Sequence, residues 1–102
     1  MTFNIKHSVL ETAHLFTLSF GDPASGPEIV KSIEQTVQDL KKLGLGGPMA
    51  LVNGPVTVPG AFVLAHHLLH LYGCVAVWDP KIQQYIVVAQ HGGPQVGSCV
   101  NL

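Results

Sequence analysis

The sequence predicts an α/β fold: a single domain over residues 1–102, built on a mixed β-sheet with two helices. Its centre reads as a parallel β-α-β-α-β unit, and antiparallel strands flank it. Three observations predict this. Hydrophobic residues fill 47% of the 102 positions, enough for one core and one domain. Two segments with helical spacing alternate with runs of β-formers, the pattern of parallel strands joined by right-handed crossovers. Pairs of short β-rich runs lie on either side of that centre.

The elements follow in order. "FNIKHSV" and "HLFTLSF" are rich in β-formers and flank Leu10-Glu11-Thr12, which reads as a β-hairpin. "GDPASGP" is a loop by composition. Ser25, followed three residues later by Glu28 and with Pro27 between them, is a capping-box start. Ile29, Ile33, Val37, Leu40 and Leu43 recur at helical spacing, and Gly44 supplies a left-handed stop, so the first helix spans about 26–43. "PMALVNG" is a buried strand that runs into a loop at Asn53-Gly54-Pro55. Pro59 suits the first position of a second helix, which continues through "GAFVLAHHLLHLY" and is expected to end at Gly73. "CVAVWD" is a third interior strand, and a turn over Pro80 to Gln84 leads to its hairpin partner "YIVVAQH". "QVGSCVNL" adds a short edge strand.

Composition excludes several roles. Charged residues are 11% of the chain, against roughly 25% in an average soluble domain. A surface so thinly charged predicts a homo-oligomer that hides part of itself. All five cations are lysines and the formal net charge is -1, which argues against DNA and long-duplex binding. "MTFNIKHSVL" has no apolar signal-peptide region, and Leu68 to Val77 is too short to span a bilayer. The expectation is a soluble, cytoplasmic protein without a membrane partner. Cys74 and Cys99 form no CxxC pair and read as reduced, small hydrophobic residues.

Residues 65–91 hold four of the six histidines, and Asp79 and Lys81 are the only charged side chains after Lys42. His66 and His70 share a helix face at i, i+4, and His67 neighbours His70 at i, i+3. Two histidines at that spacing can hold one metal ion. No glutamate follows His66, so the stretch is not HExxH and a zinc-protease reading is rejected. Taken singly, each histidine is more often a packing or capping residue, and His70 also suits the negative end of a helix. His7 and His14 read as surface residues, and His66 receives no role. Asp79 ends an apolar strand, and ligands of open α/β sheets gather beyond the carboxyl ends of strands. Asp79-Pro80 is equally an ordinary turn starter, and Lys81 is a phosphate contact or a solvated turn lysine.

Placed on the expected strands, these groups fall at two poles. Six strand residues span about 20 Å, so His70 and Asp79 lie at opposite ends of "CVAVWD". The return strand carries His91 to the His70 end. A metal or general-base contact spans only a few ångströms, so His70 and Asp79 can serve one centre only across two chains.

The run "AHHLLHLYGCVAVWDPKIQQYIVVAQHGGPQVG" resembles the CRISPR-associated Csx-three (Crn-three) ring nuclease family. The features that carry the resemblance are A-H-x-L-x-H at the helix end, V-A-V-x-D-P-[KR] at the strand end and V-V-x-x-H before a Gly-containing segment. They cover Met49 to the C-terminus. The resemblance implies a distantly Rossmann-like fold related to CRISPR-associated Rossmann-like (CARF) domains. It implies binding of cyclic tetra-adenylate and its cleavage to linear products, with a possible manganese-dependent exonuclease activity on short adenosine-rich RNA. It also implies dimers that sandwich the ring, as a tetramer or longer stack. By position the catalytic residues are His70, Asp79 and Lys81. Asn53, Gly54, Thr57 and His67 are ligand-binding candidates, and His70, Asp79 and His91 are candidate ligands for Mn²⁺. Lys81 stands where some members have arginine, which leaves a point charge without bidentate contact. Attack by the ring's own 2′-hydroxyl and attack by metal-bound water both remain open. The rivals are a module that binds or senses cyclic oligoadenylate without cutting it, and a structural dimer whose histidines only pack.

Overall fold

The computed structural model describes residues 2–101 and contains six strands and two helices. They are β1 (Phe3–Val9), β2 (His14–Phe20), α1 (Gly26–Lys42), β3 (Ala50–Asn53), α2 (Val58–Leu71), β4 (Cys74–Asp79), β5 (Gln84–Gln90) and β6 (Cys99–Val100). The strands lie in chain order in one sheet. β2, β3 and β4 are parallel, while β1, β5 and β6 pair antiparallel. The mixed sheet with a parallel centre is therefore as the sequence predicts. Leu102, the last residue of the expected edge strand, lies outside the described residues.

Crossovers of one hand that step the same way across a sheet put their helices on the same face. α1 and α2 accordingly share one core with Phe3, Phe16, Leu18, Val52 and Val75. The capping box that starts α1 is present: the Glu28 amide donates to Ser25 Oγ at 3.3 Å and the Ser25 amide to Glu28 Oε1 at 3.0 Å. Gly44, at φ +72°, follows the helix in the left-handed region. α2 begins at Val58, with Thr57 Oγ1 accepting from the Gly60 amide at 3.2 Å.

The end of α2 differs from expectation. It stops at Leu71 because Tyr72 turns to extended backbone (φ -126°, ψ 149°) and drives its ring into the core. No left-handed glycine is needed there, since burial of the aromatic ring pulls the chain out of the helix. Gly73 then leads into β4, its amide donating to the Gly47 carbonyl at 3.0 Å. β5 also begins one residue earlier than expected, at Gln84.

The opposite sheet face carries no helix and buries Leu51, Cys74, Ala76, Tyr85 and Val87. Burial pushes the Cys74 thiol up in pKa. Cys99 departs from the expected packing role: it lies exposed on β6. No helix among the described residues is long and apolar enough to cross a membrane.

Two helices packed about 10 Å apart cover roughly four strands spaced about 4.8 Å, so the β5 side of this sheet stays open. Phe62 (73% exposed) and Val88 (45% exposed) face that gap. The β4–β5 register shifts between Val75 and Ala76, which pair with Ala89 and Val87. The extra residue, Val88, is a bulge that points into the gap. Ala61, Ala65, His66 and Leu69 of α2 form the other wall of this apolar groove, whose volume is about 480 Å³.

Candidate functional site

The structure separates the predicted residues into two groups. At one end stand His66 and His70, on the exposed side of the last turns of α2, and His91, just past β5. The pairing of Cys74 with Gln90 brings His91 there, and its amide donates to the Gly73 carbonyl at 2.9 Å. The His91 ring donates from Nε2 to the Leu69 carbonyl, 2.8 Å away. His66, Leu69, His70 and His91 line one open hollow of about 340 Å³.

At the other end stands Asp79, the last residue of β4 and half-buried. Its Oδ1 accepts from the Lys81 amide at 2.9 Å, which closes an Asx turn. The Gln83 amide donates to the Asp79 carbonyl at 2.8 Å, and Gln83 takes a left-handed φ of 54° to re-enter β5. Asp79 Oδ2 makes no hydrogen bond to a described residue. The Lys81 side chain is exposed. Asn53 ends β3 at this same edge, because β3 and β4 run parallel with Val52 beside Val77.

Gly54 and Thr57, both expected to touch a ligand, have structural work at this edge. Gly54 sits at φ +120°, where a Cβ would lie 2.2 Å from the Leu18 carbonyl oxygen. Thr57 caps α2. In the first turn of α2, Pro59 has no N–H and the Gly60 and Ala61 amides donate to Thr57, which leaves the Val58 amide to face an anion.

His67 departs from the other histidines. It turns toward α1 and its Nε2 donates to the Glu34 carboxylate, while Nδ1 is buried without a partner among the described residues. That hydrogen bond is the main reason the Glu34 carboxyl sits below its ordinary pKa. His14 corrects the surface reading: it is half-buried, and its Nδ1 lies 2.6 Å from the Tyr72 hydroxyl. Burial pushes the Tyr72 phenol up in pKa. His7 is exposed, as expected.

Nothing local in the sequence marks Glu34 as the partner of His67, or Tyr72 as that of His14. Those pairs are 33 and 58 residues apart in the chain and depend on how the helices rotate over the sheet. The groove was also missed, although the nearly all-apolar α2 carried a signal: a helix apolar all round needs covering on more than one side. Among the described residues no three His, Cys, Asp or Glu side chains come together to hold a metal ion. His70 and His91 are on one pole and Asp79 on the other, so these three do not fit one manganese ion within a chain.

No protein-family model and no curated protein matches the chain.

Proposed function

We propose that the protein is a cytoplasmic ring nuclease that binds cyclic tetra-adenylate and cleaves it to linear products at a site shared between subunits. The observation that carries this reading is the separation of His70 from Asp79 along β4, with His91 returned to the histidine end by β5. Each pole holds half of a phosphodiesterase: imidazoles at one, a carboxylate with a lysine at the other. Head-to-tail contact of two chains joins them. The open apolar groove at Phe62 and Val88 supports association, since an exposed apolar patch on a thinly charged surface favours a second subunit.

The chemistry assigned to the chain needs no step through manganese. His70 takes the proton of a ring 2′-hydroxyl, whose oxygen then attacks the neighbouring phosphorus. The departing 5′-oxygen takes a proton from water, and the bond to it breaks. Asp79, held by the Lys81 amide, offers Oδ2 to orient that hydroxyl. Lys81 balances charge that builds on the phosphate. Holding the ring in line supplies the proximity contribution.

The test uses labelled cyclic tetra-adenylate with His70→Ala, Asp79→Ala and an equimolar mixture after subunit exchange. Each variant alone is expected to be inactive. Random pairing restores about a quarter of the sites, because half the dimers are mixed and each has one intact site of two. No recovery after verified exchange refutes the shared site.

One observation favours a second reading. Asp79 already holds its own turn, and the loop over 53–61 carries no cation, so the pole can bind without cutting. A module that only sequesters cyclic oligoadenylate returns the ligand intact after long incubation.

A further inference from the structure

We propose that His66 and His70 form a chelating site for a borderline divalent transition ion of the Zn²⁺, Ni²⁺ or Cu²⁺ type. The two rings stand one turn apart on the exposed side of α2, with centroids 4.8 Å apart and planes at 83°. A metal–nitrogen bond of about 2.05 Å plus about 1.1 Å from nitrogen to centroid places each centroid about 3.2 Å from a shared ion. Two such centroids 4.8 Å apart subtend about 97° at the ion, between the octahedral and tetrahedral angles. The spacing is thus compatible with two cis ligands. Neither ring hydrogen-bonds to a described residue, so their nitrogens are free for an ion.

His91 lies on the other side of the hollow. A carbonyl only accepts, so the contact from His91 to the Leu69 carbonyl fixes the proton on Nε2 and leaves the Nδ1 lone pair bare in the neutral ring. His91 lines the same hollow but does not converge with the pair, so the site has two protein ligands and open positions. Its donors are imidazole nitrogens without carboxylate, which select zinc, nickel or copper over manganese, magnesium or calcium. The site shares His70 with the proposed nuclease centre but takes no ligand from Asp79, and the titration below reads metal binding rather than cleavage, so the two readings fail separately.

The test is calorimetric titration of Zn²⁺, Ni²⁺ and Mn²⁺ into the untagged, metal-free protein in a Cys99→Ser background, which removes the exposed thiol. One Zn²⁺ or Ni²⁺ per chain is expected, with Mn²⁺ weaker. His66→Gln and His70→Gln should each weaken Zn²⁺ or Ni²⁺ binding by about tenfold or more, since each turns a two-point chelate into one contact. Both side chains are exposed, so circular dichroism should show the fold intact. With Cu²⁺, electron paramagnetic resonance should report two equatorial imidazole nitrogens. The inference is overturned if either variant binds Zn²⁺ and Ni²⁺ like its parent, if Mn²⁺ binds as tightly, or if Cys99→Ser alone abolishes binding.

Discussion

His67 on α2 donates a hydrogen bond to Glu34 on α1, tying the two helices together above their shared core. The carboxyl of Glu34 is thereby held below its ordinary value of 4.5. A carboxylate depressed in the folded state stabilises it fully above the unfolded pKa, and loses that contribution as pH falls through the folded value. Glu34→Gln should therefore lower the melting temperature near neutral pH, with the gap to wild type closing as pH drops below about 4.5. Thermal melts across that range check it; a constant gap at every pH would show that the ionised carboxylate is not the cause.

Gly54→Ala should destabilise the fold strongly, by about 3 kcal/mol or more, because the new Cβ would meet backbone and φ is left-handed. Urea unfolding measures this directly. Loss of ligand binding in this variant would follow from the damaged β2–β3 edge, so stability must be measured beside it.

Tyr72→Phe keeps the ring in its edge contact with Phe16 and removes only the hydroxyl bonded to His14. The expected cost is about 1 kcal/mol. Tyr72→Ala, which also empties a fully buried site, should cost about 3–5 kcal/mol. Equal losses in the two variants would contradict the separate roles of ring and hydroxyl.

Phe62→Glu places a charge in the apolar groove beside Val88. If subunits meet there, the dissociation constant should rise about tenfold or more while the melting temperature of the isolated chain changes little. Analytical ultracentrifugation over a dilution series distinguishes this from a groove that stays open in the assembly.

Lys81→Ala should weaken cyclic tetra-adenylate binding and flatten its dependence on salt, whereas Lys81→Arg should retain both. The Lys81 side chain is exposed, and only its amide holds Asp79, so the turn survives either change. Identical salt dependence in all three proteins would remove Lys81 from the phosphate site.

The separation of the poles is legible in the sequence because it depends only on strand length and direction. "CVAVWD" is an apolar run bounded by Gly73 and Pro80, and its partner must return antiparallel after so short a turn. The capping box, Gly44 and the parallel centre were legible for the same local reason. Tyr72 was not, because helix propensity alone carries α2 to Gly73; only the pocket beside Phe16 and His14 makes extended backbone the better choice.

By itself the sequence determined which segments become strands and helices, their order, and that imidazoles and carboxylate end up at opposite ends of β4. Those features follow from periodicity, caps and turns, whose interactions reach only a few residues along the chain. Tertiary structure alone decided that His67 faces Glu34 while His66 and His70 face outward, that Gly54 lies against Leu18, and that the helices leave β5 bare. These depend on the rotation of each helix about its axis and on how many strands two helices can cover. Close packing of the whole core sets both, and no local pattern encodes them.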